Sequence, residues 1–495
     1  MLRKIRIVLA LVFLSGISLL FLDLTGILHR WLAWMSKLQF IPAVLALNVV
    51  AVAFLVILTF LFGRVYCSVI CPLGVFQDIV SWLSGKRRGK RFRFRFRKPA
   101  TWLRLVVLGA FIASLVAGIS VIYTLIEPYS AFGRMMSALV APLYGLTNNL
   151  FASVAERADS YLFYSVDVWF KSMPVLIAAI VTFIIITVIA WSRGRLYCNT
   201  ICPVGTVLGT ISRYSVFGIK IDKSKCNGCG LCSKACKSEC IDGEAHRVDY
   251  SRCVACWDCI GTCKHGAISF TRKSGCHAAT SEDVKPDGSR RKFLAAVGVV
   301  GTAAAVKGTE KIVDGGLAVI EDKKIPDRKT PIAPPGAIGL NHLKQHCTAC
   351  QLCISQCPNE VLRPSSDIET LFQPVVSFER GYCRPECSTC SQVCPAGAIK
   401  AITAEERTAI QVGHAVWIKE NCVPLTDGVE CGNCARHCPA GAIMMVPSEP
   451  GNEESLKIPA VNAERCIGCG ACENLCPSRP FSAIYVEGHR LHRQI

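Results

Sequence analysis

The first 215 residues carry four uninterrupted apolar stretches, at about residues 5–26, 40–62, 102–126 and 173–191. Each is long enough to cross a hydrocarbon core about 30 Å thick as a helix. The first keeps Asp23 near its end and shows no small-residue cleavage site, so it reads as a span, not as a removable leader. Beyond residue 215 the apolar runs shorten and are broken by Gly and Cys, as in small α+β units. One further apolar run follows, Ala295 to Val306, built of small residues and interrupted by Gly298 and Gly301.

Charge orients the spans. Arg3, Lys4 and Arg6 precede the first, nine Lys/Arg lie between Lys86 and Lys98, and Arg193 and Arg195 follow the fourth. The positive-inside rule puts all three groups on the cytoplasmic side and the loop 127–171 outside. The net charge of +19 is concentrated beside a hydrophobic segment, which indicates an anionic lipid surface and not a nucleic acid. The alternating run Arg91–Arg97, with Phe92, Phe94 and Phe96, is expected to lie against that leaflet. A mean hydropathy of +0.38 agrees with partial membrane embedding.

The chain has 30 cysteines, and most recur in runs of four close to C-x-x-C-x-x-C-x-x-x-C. That is the spacing with which thiolates hold a four-iron cube: three come from one loop, and the fourth crosses to a neighbouring cube. Zinc ribbons use paired C-x-x-C without the fourth member. Cys226, Cys229, Cys232, Cys236 and Cys253, Cys256, Cys259, Cys263 form a two-cluster pattern over residues 216–270. By the exchange rule Cys263 completes the first triplet and Cys236 the second. Lys237 and Lys264 stand where proline is usual, and Cys240 is near enough to replace Cys236.

Four more runs fill residues 340–495: Cys347, Cys350, Cys353, Cys357; Cys383, Cys387, Cys390, Cys394; Cys422, Cys431, Cys434, Cys438; and Cys466, Cys469, Cys472, Cys476. Each ends in Cys-Pro. Nested pairing, first run with fourth and second with third, is the expectation. It joins Cys357 to the Cys466 triplet, Cys476 to the Cys347 triplet, Cys394 to the Cys422 triplet and Cys438 to the Cys383 triplet. The chain would thus hold six [4Fe-4S] clusters, with Cys276 unassigned.

An internal repeat links the second and fourth spans. Gly63-Arg64-Val65-Tyr66-Cys67-Ser68-Val69-Ile70-Cys71-Pro72-Leu73-Gly74 matches Gly194-Arg195-Leu196-Tyr197-Cys198-Asn199-Thr200-Ile201-Cys202-Pro203-Val204-Gly205. Two copies imply two helix pairs related by pseudo-symmetry, with both motifs emerging at the cytoplasmic surface. Facing halves would bring Cys67, Cys71, Cys198 and Cys202 into one candidate metal or redox site, whose soft thiolates select iron or copper. The competing reading is of small buried thiols at helix turns. Quinone chemistry needs ionisable groups near an apolar pocket. Asp23, Glu127 and Arg134 are the candidates.

The linker 271–339 contains Ser289-Arg290-Arg291-Lys292-Phe293-Leu294 ahead of the small-residue run, a twin-arginine export signal (289–306) expected to remain as a fifth anchor. Clusters are inserted where the protein folds, so an exported cluster domain needs a route for folded cargo. Pro326, Pro331, Pro334 and Pro335 then make a tether.

On these motifs residues 1–270 resemble the NapH-type membrane subunit of periplasmic nitrate reductase quinol dehydrogenases. Residues 285–495 resemble its NapG-type (MauM/NapG family) exported four-cluster partner, here in one polypeptide. The expected architecture is an α-helical membrane domain of four spans plus a fifth anchor, with two α+β ferredoxin-like iron–sulfur domains.

The resemblance implies oxidation of menaquinol or ubiquinol from the quinone pool, with electrons passing through [4Fe-4S] clusters to a periplasmic reductase or cytochrome c. It implies an inner-membrane protein with residues 216–288 cytoplasmic and 310–495 periplasmic. The membrane motifs are shared with a cytochrome-oxidase assembly ferredoxin, so copper handling is the alternative class; quinone reduction by reversed flow is another. No C-x-x-C-H or convincing G-x-G-x-x-G motif points to haem or nucleotide.

Overall fold

The computed structural model describes residues 1–23, 26–87, 94–160, 163–273, 313–314, 318–319 and 323–495. The export motif 289–306 and Cys276 lie outside these residues.

Among the described residues three helices are long and apolar enough to cross a membrane: Leu2–Leu22, Pro128–Arg157 and Met173–Arg193. Two of the expected spans are broken. The stretch 40–62 becomes Phe40–Leu45 and Val49–Phe62. Leu47 sits in the left-handed region at φ 52°, and Asn48 caps the second piece by accepting from Ala51 N at 3.1 Å. The stretch 102–126 becomes Thr101–Val116 and Ser120–Ile126, separated at Gly118 with φ 70°. The expected outer loop 127–171 instead contains the Pro128–Arg157 helix, which passes through a π turn at Met136–Val140. Pro128 and Pro142 in that stretch obscure the helical reading, yet neither stops the helix. Pro128 opens it with Glu127 as N-cap, and Pro142 opens the turn after the π segment.

The two repeat motifs do not emerge at a surface. After Phe62 the chain makes one turn of helix, Val65–Val69, reverses at Ile70–Cys71, and returns as Pro72–Arg87 beside Met173–Arg193. The second copy does the same with Leu196–Thr200 and Pro203–Arg213. Proline at the first turn of each returning helix fixes the reversal. Broken helices of this kind are tolerated at membrane depth only where protein covers them. Cys67, Cys71, Cys198 and Cys202 are all buried.

Residues 217–273 form the first ferredoxin-like unit. Phe217–Ile221 pairs antiparallel with Ile268–Arg272, and the short helices Leu231–Ala235 and Asp258–Thr262 pack on each other. The described part of the basic–aromatic run, residues 94–97, is recruited here and not to a lipid surface. Phe94 is buried with its N–H on Lys234 O at 3.1 Å, Arg97 pairs with Glu239, and Arg252 lies over Phe96.

Residues 323–495 form the second, larger unit. Its frame is Ile410–Trp417 paired with Ile484–Gln494, with hairpins Leu362–Pro364/Pro374–Val376 and Ile443–Pro447/Lys457–Val461 beside it. The two units grip opposite ends of one helix. Arg3, at the start of Leu2–Leu22, donates to Asp258 at 2.8 Å, and Gln356 donates to the carbonyl of Leu20 at 2.6 Å. At about 1.5 Å per residue, those ends are roughly 25–30 Å apart.

Candidate functional site

The cysteines of the second unit gather by adjacent runs. Cys394 lies within electrostatic range of Cys347, Cys350 and Cys353. Cys357 lies beside Cys383, which with Cys387 surrounds Cys390. Cys476 joins Cys422, Cys431 and Cys434, and Cys438 joins Cys466, Cys469 and Cys472. The nested pairing expected from the sequence is therefore wrong. Consecutive runs are joined by short hairpins that return the chain beside itself, and short connections favour neighbours in sequence.

These four sets follow one another in a line. Cys353 reaches toward Cys390 of the second set. Cys383 N donates to Cys469 O at 2.9 Å, joining the second set to the third. Cys472 of the third neighbours Cys434 of the fourth. The first set abuts the helices. A methyl group added at Gly133 would collide with the carbonyl of Cys350, and Tyr123 Oη donates to the carbonyl of Cys347 at 3.1 Å.

In the first unit Cys236 stands with Cys253, Cys256 and Cys259, as the exchange rule expects. Cys226 and Cys229 neighbour Cys232. The loop after Cys263 closes on them through His265 and Asn227, 2.9 Å apart. Cys240 is buried with its sulfur 3.5 Å from that of Cys236.

The residues around the sulfurs suit thiolates that bind clusters. Such ligands are held by N–H donors that spread their charge. Cys347 accepts from Ala349 N at 3.4 Å, Cys438 from Ala442 N at 3.3 Å and Cys476 from Ala483 N at 3.3 Å. Buried Arg407 donates to Cys383 at 3.5 Å.

The membrane motifs also converge. Cys71 neighbours Cys67 and Cys198, and Cys202 neighbours all three. The first unit holds them from one side through Arg64 Nη1 on Ser251 O at 3.0 Å and Asn199 Nδ2 on Ser238 O at 3.1 Å. A charge network closes that side: Asp78 pairs with Arg6, Arg195 and Lys237, and Asp258 with Arg3, Arg6 and Lys237. Burial opposes ionisation of Asp258, yet Lys237 and Arg6 hold its carboxyl below the usual carboxylate range.

The ionisable candidates separate. Glu127 and Arg134 are buried together where the bundle meets the Cys347 set. Glu127 caps the Pro128–Met135 turn, and Arg134 donates to Thr124 O at 2.8 Å. Asp23 instead lines a cavity of about 570 Å³ between the helices and the second unit. Its carboxylate accepts from Gly26 N at 3.0 Å and Leu28 N at 2.8 Å, fixing the turn that presents His29. His29 also lines the cavity, and its Nδ1 is buried without a hydrogen-bond partner among the described residues. Cys357 and Cys387 stand in the cavity wall. Sequence reading missed His29, whose one signal is that of a histidine shortly after Asp23, between two apolar stretches.

A chain that lines up cysteine sets beside two ferredoxin-like units and a helical bundle is an iron–sulfur electron carrier by construction. Sequence comparison agrees. A 4Fe-4S binding domain profile matches residues 44–91 and 175–224, which contain both membrane motifs. A second 4Fe-4S binding domain profile matches 219–242, and a 4Fe-4S dicluster domain profile matches 429–479. The methylamine utilization ferredoxin-type protein MauM of Methylobacillus flagellatus is 31% identical over 165 residues, 32% of this chain and 70% of MauM. The ferredoxin-type protein NapF of Escherichia coli K12 is 30% identical over 159 residues, 32% of this chain and 87% of NapF. NapG of the same organism is 29% identical over 206 residues, 40% of this chain and 84% of NapG. The chain belongs to this family of ferredoxin-type iron–sulfur proteins, and it is an iron–sulfur electron-transfer protein.

Proposed function

We propose that the protein is a membrane-bound quinol dehydrogenase that holds six [4Fe-4S] clusters and passes electrons through the outer ones to an oxidoreductase outside the inner membrane. The observation that carries this reading is the cavity shared by the helices and the second unit. Its volume of about 570 Å³ falls in the range of small-molecule sites, and Cys357 and Cys387 of one cysteine set form part of its wall.

Oxidation of a quinol releases two protons and two electrons and leaves the quinone. His29 Nδ1, buried without a hydrogen-bond partner among the described residues, accepts one proton, and the other leaves to water. Asp23 accepts from Gly26 N and Leu28 N, just before His29 in the chain, and so holds the backbone that carries it. The clusters supply one-electron acceptors when bound. The 24 cysteines of the six runs would hold them, grouped by adjacent runs. From the cavity the line of sets runs outward through the Cys466 and Cys422 sets, where the electron partner, a reductase or a cytochrome c, docks.

The two-part layout supports a fusion of a NapH-like membrane half with a NapG-like exported half. The contacts of the two ferredoxin units with opposite ends of Leu2–Leu22 support an inner cytoplasmic unit and an outer periplasmic one, with the twin-arginine segment exporting the latter. The test is anoxic purification of the full chain followed by addition of a menaquinol analogue. Cluster reduction, seen as loss of visible absorbance, is the expected result. Clusters that dithionite reduces and the quinol does not would overturn the proposal.

A further inference from the structure

We infer that Cys67, Cys71, Cys198 and Cys202 hold a seventh iron–sulfur cluster, buried between the two repeat halves and lying between the inner and outer cysteine sets. This rests on the reading of the protein as an electron carrier and adds the component that joins its two faces.

The first observation is that every one of the four sulfurs has a donor. Arg64 Nη2 approaches Cys67 at 3.7 Å, Gln77 Nε2 lies 3.3 Å from Cys198, and Gly205 N lies 3.4 Å from Cys202. The backbone N–H of Gly74, the repeat equivalent of Gly205, serves Cys71. The same kind of donor meets Cys347, Cys438 and Cys476 in the second unit. Structural thiols packed as small hydrophobes have no need of such a shell, whereas ligating thiolates do.

Charge gives the second observation. Arg64 is fully buried. Its hydrogen-bond partners among the described residues are Asn199 Oδ1, two carbonyls and the Cys67 sulfur, with no carboxylate among them. A buried cation without a counter-charge is costly. A cluster bound by four thiolates is an anion, and it would supply that charge.

Spacing is the third. Among the described residues no three Cys, His, Asp or Glu side chains close around one point as a single metal ion requires. In this the membrane thiols are like the cysteine sets of both ferredoxin units.

The position gives the site its use. Toward the first unit, Arg64 joins the Cys67 region to the Ser251 carbonyl, close before Cys253 in the chain. Toward the second, Tyr197 Oη donates to Ile126 O at 2.7 Å, and the neighbouring Glu127 lies within electrostatic range of Tyr66, Tyr197 and Cys350. Electron tunnelling falls off exponentially with distance, so a carrier between two units at opposite ends of a membrane-length helix is what a through-membrane path needs.

The test compares the full chain with the double variant Cys71→Ser/Cys202→Ser, both purified without oxygen. Six four-iron cubes alone require about 24 irons per chain. About two to four more are expected in the unaltered protein, lost in the variant while the spectra of the other clusters persist. Equal iron in the two proteins would overturn the inference, and a total near 24 in both would do so while leaving the six-cluster reading intact. Copper in place of the extra iron would also overturn it. Should the double variant fail to fold, Gln77→Leu keeps all four thiols. It is expected to lower the midpoint potential of one cluster signal only, and unchanged potentials throughout would count against the site.

Discussion

Arg64 donates to the carbonyl oxygen of Cys198 at 3.1 Å, across the boundary between the two repeat halves. Arg195 returns the contact on the carbonyl of Cys67 at 2.6 Å. The glycines make room for this exchange. A methyl at Gly74 would collide with Cys67 O, and one at Gly205 with Cys198 O and the Arg64 guanidinium. Replacing Arg64 by Gln strips donors from buried acceptors, each costing about 1–3 kcal/mol. A lowered melting temperature of the purified protein is the expected outcome, and Gly205→Ala is expected to act in the same direction by steric overlap.

Asp78 is the hub that ties the helices to the first ferredoxin unit, through Arg195 at 2.6 Å, Arg6 at 2.9 Å and Lys237 at 3.0 Å. Removing one partner of a buried ion network costs about 3–5 kcal/mol. Asp78→Asn is expected to loosen the first unit, exposing sites near Lys237 to limited proteolysis, with the second unit unaffected.

Cluster pairing is directly separable. Cys394→Ser is expected to alter the cluster of the Cys347 triplet, and Cys476→Ser that of the Cys422 triplet. Electron paramagnetic resonance of each reduced variant reads which signal changes. If Cys476→Ser perturbs the same signal as Cys347→Ser, the nested arrangement returns.

At the cavity, His29→Phe removes the proposed proton acceptor, and Asp23→Asn weakens the backbone contacts to Gly26 and Leu28 just before it. Loss of general-base assistance typically costs about 10²–10⁴-fold. Quinol-dependent reduction is expected to slow by about 10²-fold or more in His29→Phe, with dithionite reduction unchanged.

The second unit also carries a pH dependence. Burial, then the charges of Arg407 and His489, push the His492 imidazole down to about 4 from its ordinary 6.5. The folded state therefore binds fewer protons than the unfolded one between those values. Stability from this group is full above pH 6.5 and falls as pH drops toward 4, by on the order of 2 kcal/mol. Urea titrations at about pH 7 and about pH 4.5, on either side of most of that window, measure this. His492→Phe is expected to flatten the difference.

Much of this was legible in the chain because the signals are short-range. Cysteine spacing names the six runs, and a repeated twelve-residue motif names the four membrane thiols. The failures are long-range or conformational. Pairing of Cys394 with the Cys347 triplet depends on how hairpins return the chain. The inward reversal at Ile70–Cys71 depends on what covers the broken helix, and hydropathy does not report that. Phe94 and Arg97 look lipid-facing until Lys234 and Glu239 are placed beside them. His29 carries no motif, and only the cavity singles it out.

The central claim is that the protein carries electrons from quinol to the outer face. The most direct measurement uses sealed vesicles holding the full chain in one orientation, menaquinol in the bilayer and an impermeant one-electron acceptor outside. Two acceptor molecules reduced for each quinol oxidised is the predicted result, with the rate falling in His29→Phe. No acceptor reduction by protein whose clusters are intact and dithionite-reducible would contradict it.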